Sequence, residues 1–580
     1  MSIFRRAGAL VLAFQFSFVW ASNESIAPES DTGWQHPEQV VADEALVVSA
    51  HPLATEAGFD ILQRGGTALD AAIAIQAMLT LVEPQSSGIG GGAFLLYWDH
   101  SSQTLHAYDG RETAPMGVSE TLFLQPDGSA MPWQEALVGG RSVGVPGVLR
   151  MLELAHQRHG KLAWSELFEA AIAQAERGFP VGNRLHRLIA ERVNPGLGRY
   201  PASRQYFFDA SGAPLPTGMR LRNPELAQSL RLIAAQGADA LYRGPLADKI
   251  LASVAAAKDN PGQLRRTDLA RYRAREREPV CLPYREYRVC GFPPPTSGGV
   301  TLLQILGLLQ HTAIGEFPPD SVEFAHLFTQ ASRLAYADRA RYLADPEFVE
   351  VPTTALLDPA YLRQRATLID PERDRGPAQA GQPVALARAD DHSPELPSTS
   401  HFVIRDAEGN LLSMTSSIEM AFGSTLMAGG FLLNNQLTDF SFVPEVDGIP
   451  VANRVEPGKR PRSSMAPVIV FDGDNRPVAA LGSPGGSRII DYVALRLLLM
   501  LHTDLPLQEI LYQPNISNRN GDTELEQGTP AEQLLFELRE RGHRVTIREL
   551  NSGVHALRRR ADGRWESGVD PRREGKALGR

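Results

Sequence analysis

Ser398-Thr399-Ser400-His401-Phe402 is the stretch on which the reading of this chain turns. It follows a polar, proline-containing segment, Asp390 to Pro397, and opens an apolar run, Phe402-Val403-Ile404. A turn-rich Asp406-Ala407-Glu408-Gly409-Asn410 comes next, and a second apolar run starts at Leu411. Two such runs around a glycine-containing turn predict a β-hairpin, with Thr399 at the mouth of its first strand, directly after a loop. Threonine is a good strand former, so the residue by itself carries no function. Its surroundings decide.

Downstream come glycine turns at 423 and 429–430, then Asn434-Asn435-Gln436, Arg462-Ser463-Ser464-Met465 and Gly482-Ser483-Pro484-Gly485-Gly486. The last leads into an apolar helix from Ile489 to about Leu501. Upstream, residues 371–397 carry no period and read as a linker or cleavable tail. Helical periodicity runs from Val322 to Tyr342 and from Val300 to about Leu309, the latter after Pro293-Pro294-Pro295-Thr296-Ser297-Gly298-Gly299. Cys281 to Val289 reads as paired strands around a tip at Arg285-Glu286.

Nearer the start, Gly144-Val145-Pro146-Gly147 turns into a helix, and Ser165 to Arg177 is another helix, closed by Gly178. A strand through Tyr108-Asp109 places Arg111 at its end. His51 to Arg64 reads as a helix, and Thr67 can cap a second one running to about Leu81. Ser87-Gly88-Ile89-Gly90-Gly91-Gly92-Ala93 has a helix before it and a strand after it, the reverse of a dinucleotide fingerprint. Close backbone packing or a pocket floor is expected there. Asn23 to about Glu44 is polar and expected to be loosely ordered. Helix-rich flanks around strand-rich middles predict a layered α/β sandwich, without internal repeats.

The chain of 580 residues is 43% hydrophobic and 21% charged, the balance of a folded globular protein. A net charge of −10, with no basic block, argues against nucleic acid as a partner. Arg5-Arg6 precede an apolar run from Ala7 to Trp20, so residues 1–21 read as a secretory signal peptide cut after Ala21. The run is short for a membrane span, and no other segment is long and apolar enough; a periplasmic or secreted protein is expected. Export makes a local Cys281–Cys290 disulfide feasible. Two cysteines cannot supply a structural zinc site, and no metal or cofactor is implied.

Seven blocks, taken together and in order, resemble the γ-glutamyltranspeptidase family of N-terminal-nucleophile hydrolases. They are Asp109-Gly110-Arg111-Glu112, Pro294-Pro295-Thr296-Ser297-Gly298-Gly299, Ala335-Tyr336-Ala337-Asp338-Arg339, Thr399-Ser400-His401, Leu433-Asn434-Asn435-Gln436, Lys459-Arg460-Pro461-Arg462-Ser463-Ser464-Met465 and Gly482-Ser483-Pro484-Gly485-Gly486. The likeness spans nearly all of the mature sequence. It implies an α/β (α+β) fold with four αββα layers, built jointly by two chains that self-cleavage between Ser398 and Thr399 would leave: a large one, 22–398, and a small one, 399–580. The freed α-amine of Thr399, with a reference pKa of about 7.7–8.0, can then deprotonate the hydroxyl of its own residue.

The resemblance also implies roles. Gly485 and Gly486 would supply an oxyanion hole from backbone N–H groups. Ser417 stands where the family has a threonine supporting the nucleophile, and it keeps the hydroxyl. Arg111, with Ser463 and Ser464, would grip the donor α-carboxylate. Glu419, Gln436 and Asp439 would receive its α-ammonium. Glutathione and other γ-glutamyl amides are the implied donors, with water, an amino acid or a dipeptide as acceptor.

One departure stands out. Many bacterial members close the pocket with a tyrosine-bearing loop, but Phe440 to Arg462 is short here and lacks tyrosine. The leaving-group side is therefore expected to be open. Two other readings compete: a glutaryl-type (cephalosporin) acylase of the same superfamily, and a non-catalytic exported binding protein. The retained acidic set disfavours the first, because a glutaryl group lacks the ammonium; intact Thr399, Arg111 and Gly485-Gly486 disfavour the second. A serine hydrolase is disfavoured because Gly482-Ser483-Pro484-Gly485-Gly486 is not a G-x-S-x-G elbow.

Overall fold

The computed structural model describes residues 33–393 and 398–580; the expected signal peptide lies outside the described residues. Fourteen strands build two sheets. They are β1 (Val41–Ala42), β2 (Leu46–Ser49), β3 (Gly92–Asp99), β4 (Thr104–Asp109), β5 (Arg275–Arg277), β6 (Val280–Tyr284), β7 (Tyr287–Gly291), β8 (Ser400–Arg405), β9 (Leu411–Ser417), β10 (Val468–Phe471), β11 (Pro477–Gly482), β12 (His555–Arg559), β13 (Trp565–Val569) and β14 (Lys576–Gly579). The first sheet has the order β14-β2-β8-β9-β3-β4-β5, the second β1-β13-β12-β11-β10-β7-β6. Both are antiparallel throughout.

Period-two alternation in β8 sets the layers. Phe402 and Ile404 join the core shared with helices α1 (Pro52–Gln63), α2 (Ala68–Val82) and α3 (Val148–His159). Val403 faces the other way, into the core holding β10, β11 and helices α4 (Gly298–Leu309), α5 (Val322–Tyr342) and α6 (Ile489–His502). The result is helices, sheet, sheet, helices: the αββα sandwich. By the same alternation His401 lies between the sheets, where its Nδ1 and the Thr415 hydroxyl are 2.9 Å apart.

Local chemistry accounts for the elements around β8. Thr67 begins α2 with a capping box: its hydroxyl accepts from the Asp70 N–H, and the Asp70 carboxylate accepts from the Thr67 N–H. Every residue of α2 is buried, which suits its apolar sequence. The glycine cluster ahead of β3 answers to close approach: a Cβ on Gly90 would lie 2.1 Å from the Leu432 carbonyl oxygen, and one on Gly91 2.1 Å from that of Ser417. Cys281 and Cys290 are partners across the β6–β7 ladder and are joined as a disulfide.

One stretch differs from expectation, and another is as irregular as expected but pinned. Val41–Ala42 adds a strand to the second sheet by pairing with β13, inside the segment expected to be loose. Residues 370–393 form no helix or strand, yet the end of this segment is pinned. Asp391 is buried, lies 3.1 Å from the Arg462 guanidinium and accepts from Asn453 Nδ2 at 2.9 Å. Side-chain pairing orders a segment that has no hydrophobic period to announce it. Among the described residues no helix is long and apolar enough to cross a membrane.

Candidate active site

The β8–β9 register builds the centre of the site. Ser400 pairs with Ser416, so Thr399 lies beside Ser417 at the open end of the hairpin. In the continuous chain the Thr399 hydroxyl donates to the Ser398 carbonyl at 2.5 Å, and the Ser417 hydroxyl donates to the same oxygen at 2.9 Å. Thr399 Oγ1 and Ser417 Oγ are 3.5 Å apart. The Glu419 N–H in turn donates to Ser417 Oγ at 2.8 Å, leaving that hydroxyl's proton for Ser398. Two hydroxyls thus converge on the peptide bond expected to break.

These residues border a small cavity of about 30 Å³. Arg111, Ser398, Thr399, Ser417, Glu419, Gln436, Asp439, Ser463, Ser464 and Gly486 line it, with Met465 and Ile489. Residues from both sides of the expected cleavage point are brought together, and every expected substrate-binding side chain is present. Gly485 is the one site residue set back from the lining; a Cβ there would lie 2.7 Å from the Tyr492 ring. Gly485 has φ +135° and Gly486 φ +62°, backbone that favours glycine at both positions. Glu419 holds φ +80° despite its side chain, a strained conformation of the kind that clusters at functional sites.

The resemblance implied that Arg111 balances the Glu419 and Asp439 carboxylates; the structure makes the pairing specific to Asp439. Arg111 is completely buried, and its Nη2 donates to Asp439 Oδ2 at 2.5 Å and to the Arg462 carbonyl at 2.8 Å. Its Nε donates to the Pro461 carbonyl at 3.0 Å. Gln436 Nε2 also donates to Asp439 Oδ2, at 2.8 Å. Residues expected at opposite ends of a bound donor are therefore paired with each other. Arg111 Nη1 has no hydrogen-bond partner among the described residues and lies 3.7 Å from Glu112 Oε2. Burial pushes the Glu112 carboxyl up to about 8, against the pull of Arg111. Asp439, hydrogen-bonded at 2.5 Å, is the nearer carboxyl partner of the guanidinium, with Glu112 at 3.7 Å.

Sequence reasoning passed over several residues that shape the site. Arg339, on α5, donates from Nη2 to Ser464 Oγ and from Nε to Ser297 Oγ, both at 2.7 Å. Tyr336, one turn earlier, donates to the Ser487 carbonyl beside the glycine pair at 2.5 Å. Both lay in the block Ala335-Tyr336-Ala337-Asp338-Arg339, which flagged them without a role. Glu112 was flagged likewise. Arg573, which reaches the Thr399 carbonyl, had no such signal. No residue between 440 and 462 lines the cavity; part of that stretch forms a short hairpin, Glu445–Val446 with Ile449–Pro450. No group of three or more His, Cys, Asp or Glu side chains among the described residues could hold a metal ion.

A model of the γ-glutamyltranspeptidase family matches residues 54–580. The glutathione hydrolase proenzyme of Bacillus subtilis (strain 168) is 36% identical over 552 residues, covering 93% of this chain and 92% of its own. That of Escherichia coli (strain K12) is 34% identical over 546 residues, covering 93% and 91%. Among solved structures, cephalosporin acylase from Bacillus halodurans superposes with a TM-score of 0.82 at 27% identity, over 95% of this chain and 99% of its own. With the family model covering all but the first 53 residues and whole-length relatives above 30% identity, this chain belongs to the γ-glutamyltranspeptidase family.

Proposed function

We propose that the chain is a self-cleaving γ-glutamyltransferase and glutathione hydrolase whose nucleophile is Thr399. The observation that carries the reading is the single cavity in which Thr399, Ser417, Gly486, Arg111 and the set Glu419, Gln436 and Asp439 meet. In self-cleavage the Thr399 hydroxyl oxygen bonds to the Ser398 carbonyl carbon, and the peptide nitrogen departs with a proton. Water then hydrolyses the resulting ester, leaving residues up to 398 as the large chain and 399–580 as the small one. Ser417, already donating to that carbonyl, is placed to stabilise the charge that grows on its oxygen.

In turnover the freed α-amine accepts the Thr399 hydroxyl proton as Oγ1 attacks the donor's γ-carbonyl carbon. The N–H groups of Gly485 and Gly486 stabilise the oxyanion, and the amine of the leaving group takes the proton away. The γ-glutamyl ester on Thr399 then passes to water, an amino acid or a dipeptide. Arg111 with Ser463 and Ser464 receives the donor carboxylate; Glu419, Gln436 and Asp439 receive the ammonium. Ser464 accepts from Arg339, which orients its hydroxyl at the cavity wall. The family relatives named glutathione hydrolase support this donor class. The signal peptide expected at residues 1–21 supports the periplasm or the exterior as the proposed location.

A second reading, an acylase for glutaryl-type side chains, is favoured by the cephalosporin acylase among the structural relatives. The two diverge at the ammonium, and the test compares kcat/KM for γ-glutamyl-p-nitroanilide and glutaryl-p-nitroanilide on processed enzyme. A γ-glutamyl preference of about 30-fold or more is expected, from the cost of leaving a buried charge unpaired. Equal values, or a glutaryl preference, would promote the acylase.

A further inference from the structure

The stretch from Phe440 to Arg462 contributes no wall to the cavity, yet one of its side chains reaches both ends of the donor pocket from behind. Asn453 is completely buried. Its Nδ2 donates to the Asp439 carbonyl at 2.7 Å and to Asp391 Oδ2 at 2.9 Å, and its Oδ1 accepts from the Arg462 N–H at 2.9 Å. Asp439 carries the carboxylate that meets Arg111, and Arg462 carries the carbonyl that accepts from Arg111 Nη2 at 2.8 Å. One amide therefore fixes the two backbone segments that flank the Arg111 guanidinium. These partners dictate the residue. A carboxylate and a carbonyl only accept and a backbone N–H only donates, so the position needs two N–H donors and one acceptor on a single short group. Aspartate of the same shape would turn an oxygen toward two others, and alanine would leave the Arg462 N–H and the Asp439 carbonyl without this partner.

Asp391 closes the network from the other side of the expected cleavage point. It is buried, lies 3.1 Å from the Arg462 guanidinium, and its N–H donates to the Ala340 carbonyl on α5 at 3.0 Å. Two further contacts lay the same segment along the stretch that holds Asn453. The Ala389 N–H donates to the Pro450 carbonyl at 3.1 Å, and the Phe442 N–H donates to the Ser393 hydroxyl at 3.0 Å. Cleavage after Ser398 would leave Asp391 close to the end of the large chain, so the segment that reads as a linker or tail keeps a task after processing.

We propose that Asn453 and Asp391 are positioning residues for the donor pocket, holding Asp439 and Arg462 at the spacing that receives a γ-glutamyl head group, with the tail of the large chain supplying one of the two. The inference rests on the γ-glutamyl reading of the cavity. Neither side chain lines the cavity, so each acts on the donor only through Asp439 and Arg111. A buried hydrogen bond left unmade shifts an equilibrium by about 5- to 150-fold. Here that shift falls on the placement of the two charges that a zwitterionic donor must meet together.

The test measures kcat and KM for γ-glutamyl-p-nitroanilide on processed wild type, N453A and D391N, each alone and combined with D439N. Asn453→Ala is expected to raise KM about 10-fold or more while kcat stays within about threefold, and Asp391→Asn to raise KM about 5- to 10-fold. The deciding comparison is the double-mutant cycle. In the D439N background the carboxylate that Asn453 places is already gone, so the cost of N453A in kcat/KM should shrink by about threefold or more, and that of D391N likewise. A general loss of packing would instead multiply in full with D439N. Full multiplication, or single variants with unchanged KM, overturns the inference. Should N453A fail to self-cleave, D391N, which keeps the size and shape of the side chain, carries the cycle alone. A wild type that turns over glutaryl-p-nitroanilide as well as the γ-glutamyl amide fails differently: it removes the γ-glutamyl reading, and this inference with it.

Discussion

Arg111 and Asp439, 328 positions apart in the chain, form an ion pair of 2.5 Å inside the candidate donor pocket. A γ-glutamyl donor carries both charges on one carbon, so it can exchange this pair for two new ones without leaving either buried group unanswered. On the proposed function, that arrangement is expected to favour the zwitterion over a simple anion. Asp439→Asn is therefore expected to lower kcat/KM for γ-glutamyl-p-nitroanilide by about 100-fold or more and to narrow its advantage over the glutaryl amide. Arg111→Lys should weaken both substrates, since one ammonium cannot reproduce the planar fork. An Asp439→Asn variant with unchanged selectivity would remove Asp439 from the ammonium site.

The convergence of the Thr399 and Ser417 hydroxyls on the Ser398 carbonyl bears on processing. Purified wild type should run as two chains, the smaller beginning Thr-Ser-His-Phe. Thr399→Ala should remain a single inactive chain. Ser417→Ala should still cleave, but about 10- to 100-fold more slowly, having lost one donor to the developing oxyanion. Time-resolved denaturing gels with N-terminal sequencing measure both. Intact, fully active wild type would rule the mechanism out.

Gly485→Ala meets two obstacles, the backbone at φ +135° and a Cβ placed 2.7 Å from Tyr492. Either is expected to displace the N–H groups from the proposed oxyanion position. The expected outcome is a fall in kcat of about 100- to 1,000-fold with KM changed only a few-fold, because the lost interaction belongs to the transition state. Steady-state kinetics distinguish this from a binding defect, which would raise KM instead.

The Cys281–Cys290 disulfide joins neighbouring strands at the edge of the second sheet, as the last members of its order show. A loop this short constrains the unfolded chain modestly, so Cys281→Ser with Cys290→Ser should cost about 2–3 kcal/mol of stability and leave kcat/KM unchanged. Two freely alkylatable thiols in native, oxidised wild type would exclude the bond.

Acid should destabilise the fold through its buried histidines. Burial pushes His555 down to about 4, from an ordinary value near 6.5. The folded state then holds it neutral while the unfolded state takes up a proton. Its contribution is fully present above about pH 6.5 and is lost as pH falls toward 4. Between pH 7.5 and 5 the loss is about 2 kcal/mol for this one group. His555→Gln should flatten the acid side of a Tm-against-pH curve, whatever its effect at neutral pH; an unchanged slope would show that His555 does not drive it.

Local pattern alone determined much of this protein. The capped helix beginning at Ala68, the hairpin from Ser400 to Ser417, the glycine-only turn at 485–486 and the two-residue tip at Arg285-Glu286 follow from propensities and periods within about twenty residues. The candidate residues that meet in the cavity were flagged in advance because they sit in short blocks whose order resembles a family, with Thr399 at a loop-to-strand junction. Tertiary structure alone decided that Arg111 and Asp439 answer each other, that Arg339 orients Ser464, and that Asp391 pins a segment with no period to the Arg462 and Asn453 side chains. It alone brought Arg573 to the Thr399 carbonyl, 174 positions away. The physical reason is the same in each case. A buried charge must find a partner, but any residue that the packed layers bring within about 3 Å can serve, and no spacing along the chain records which one it is.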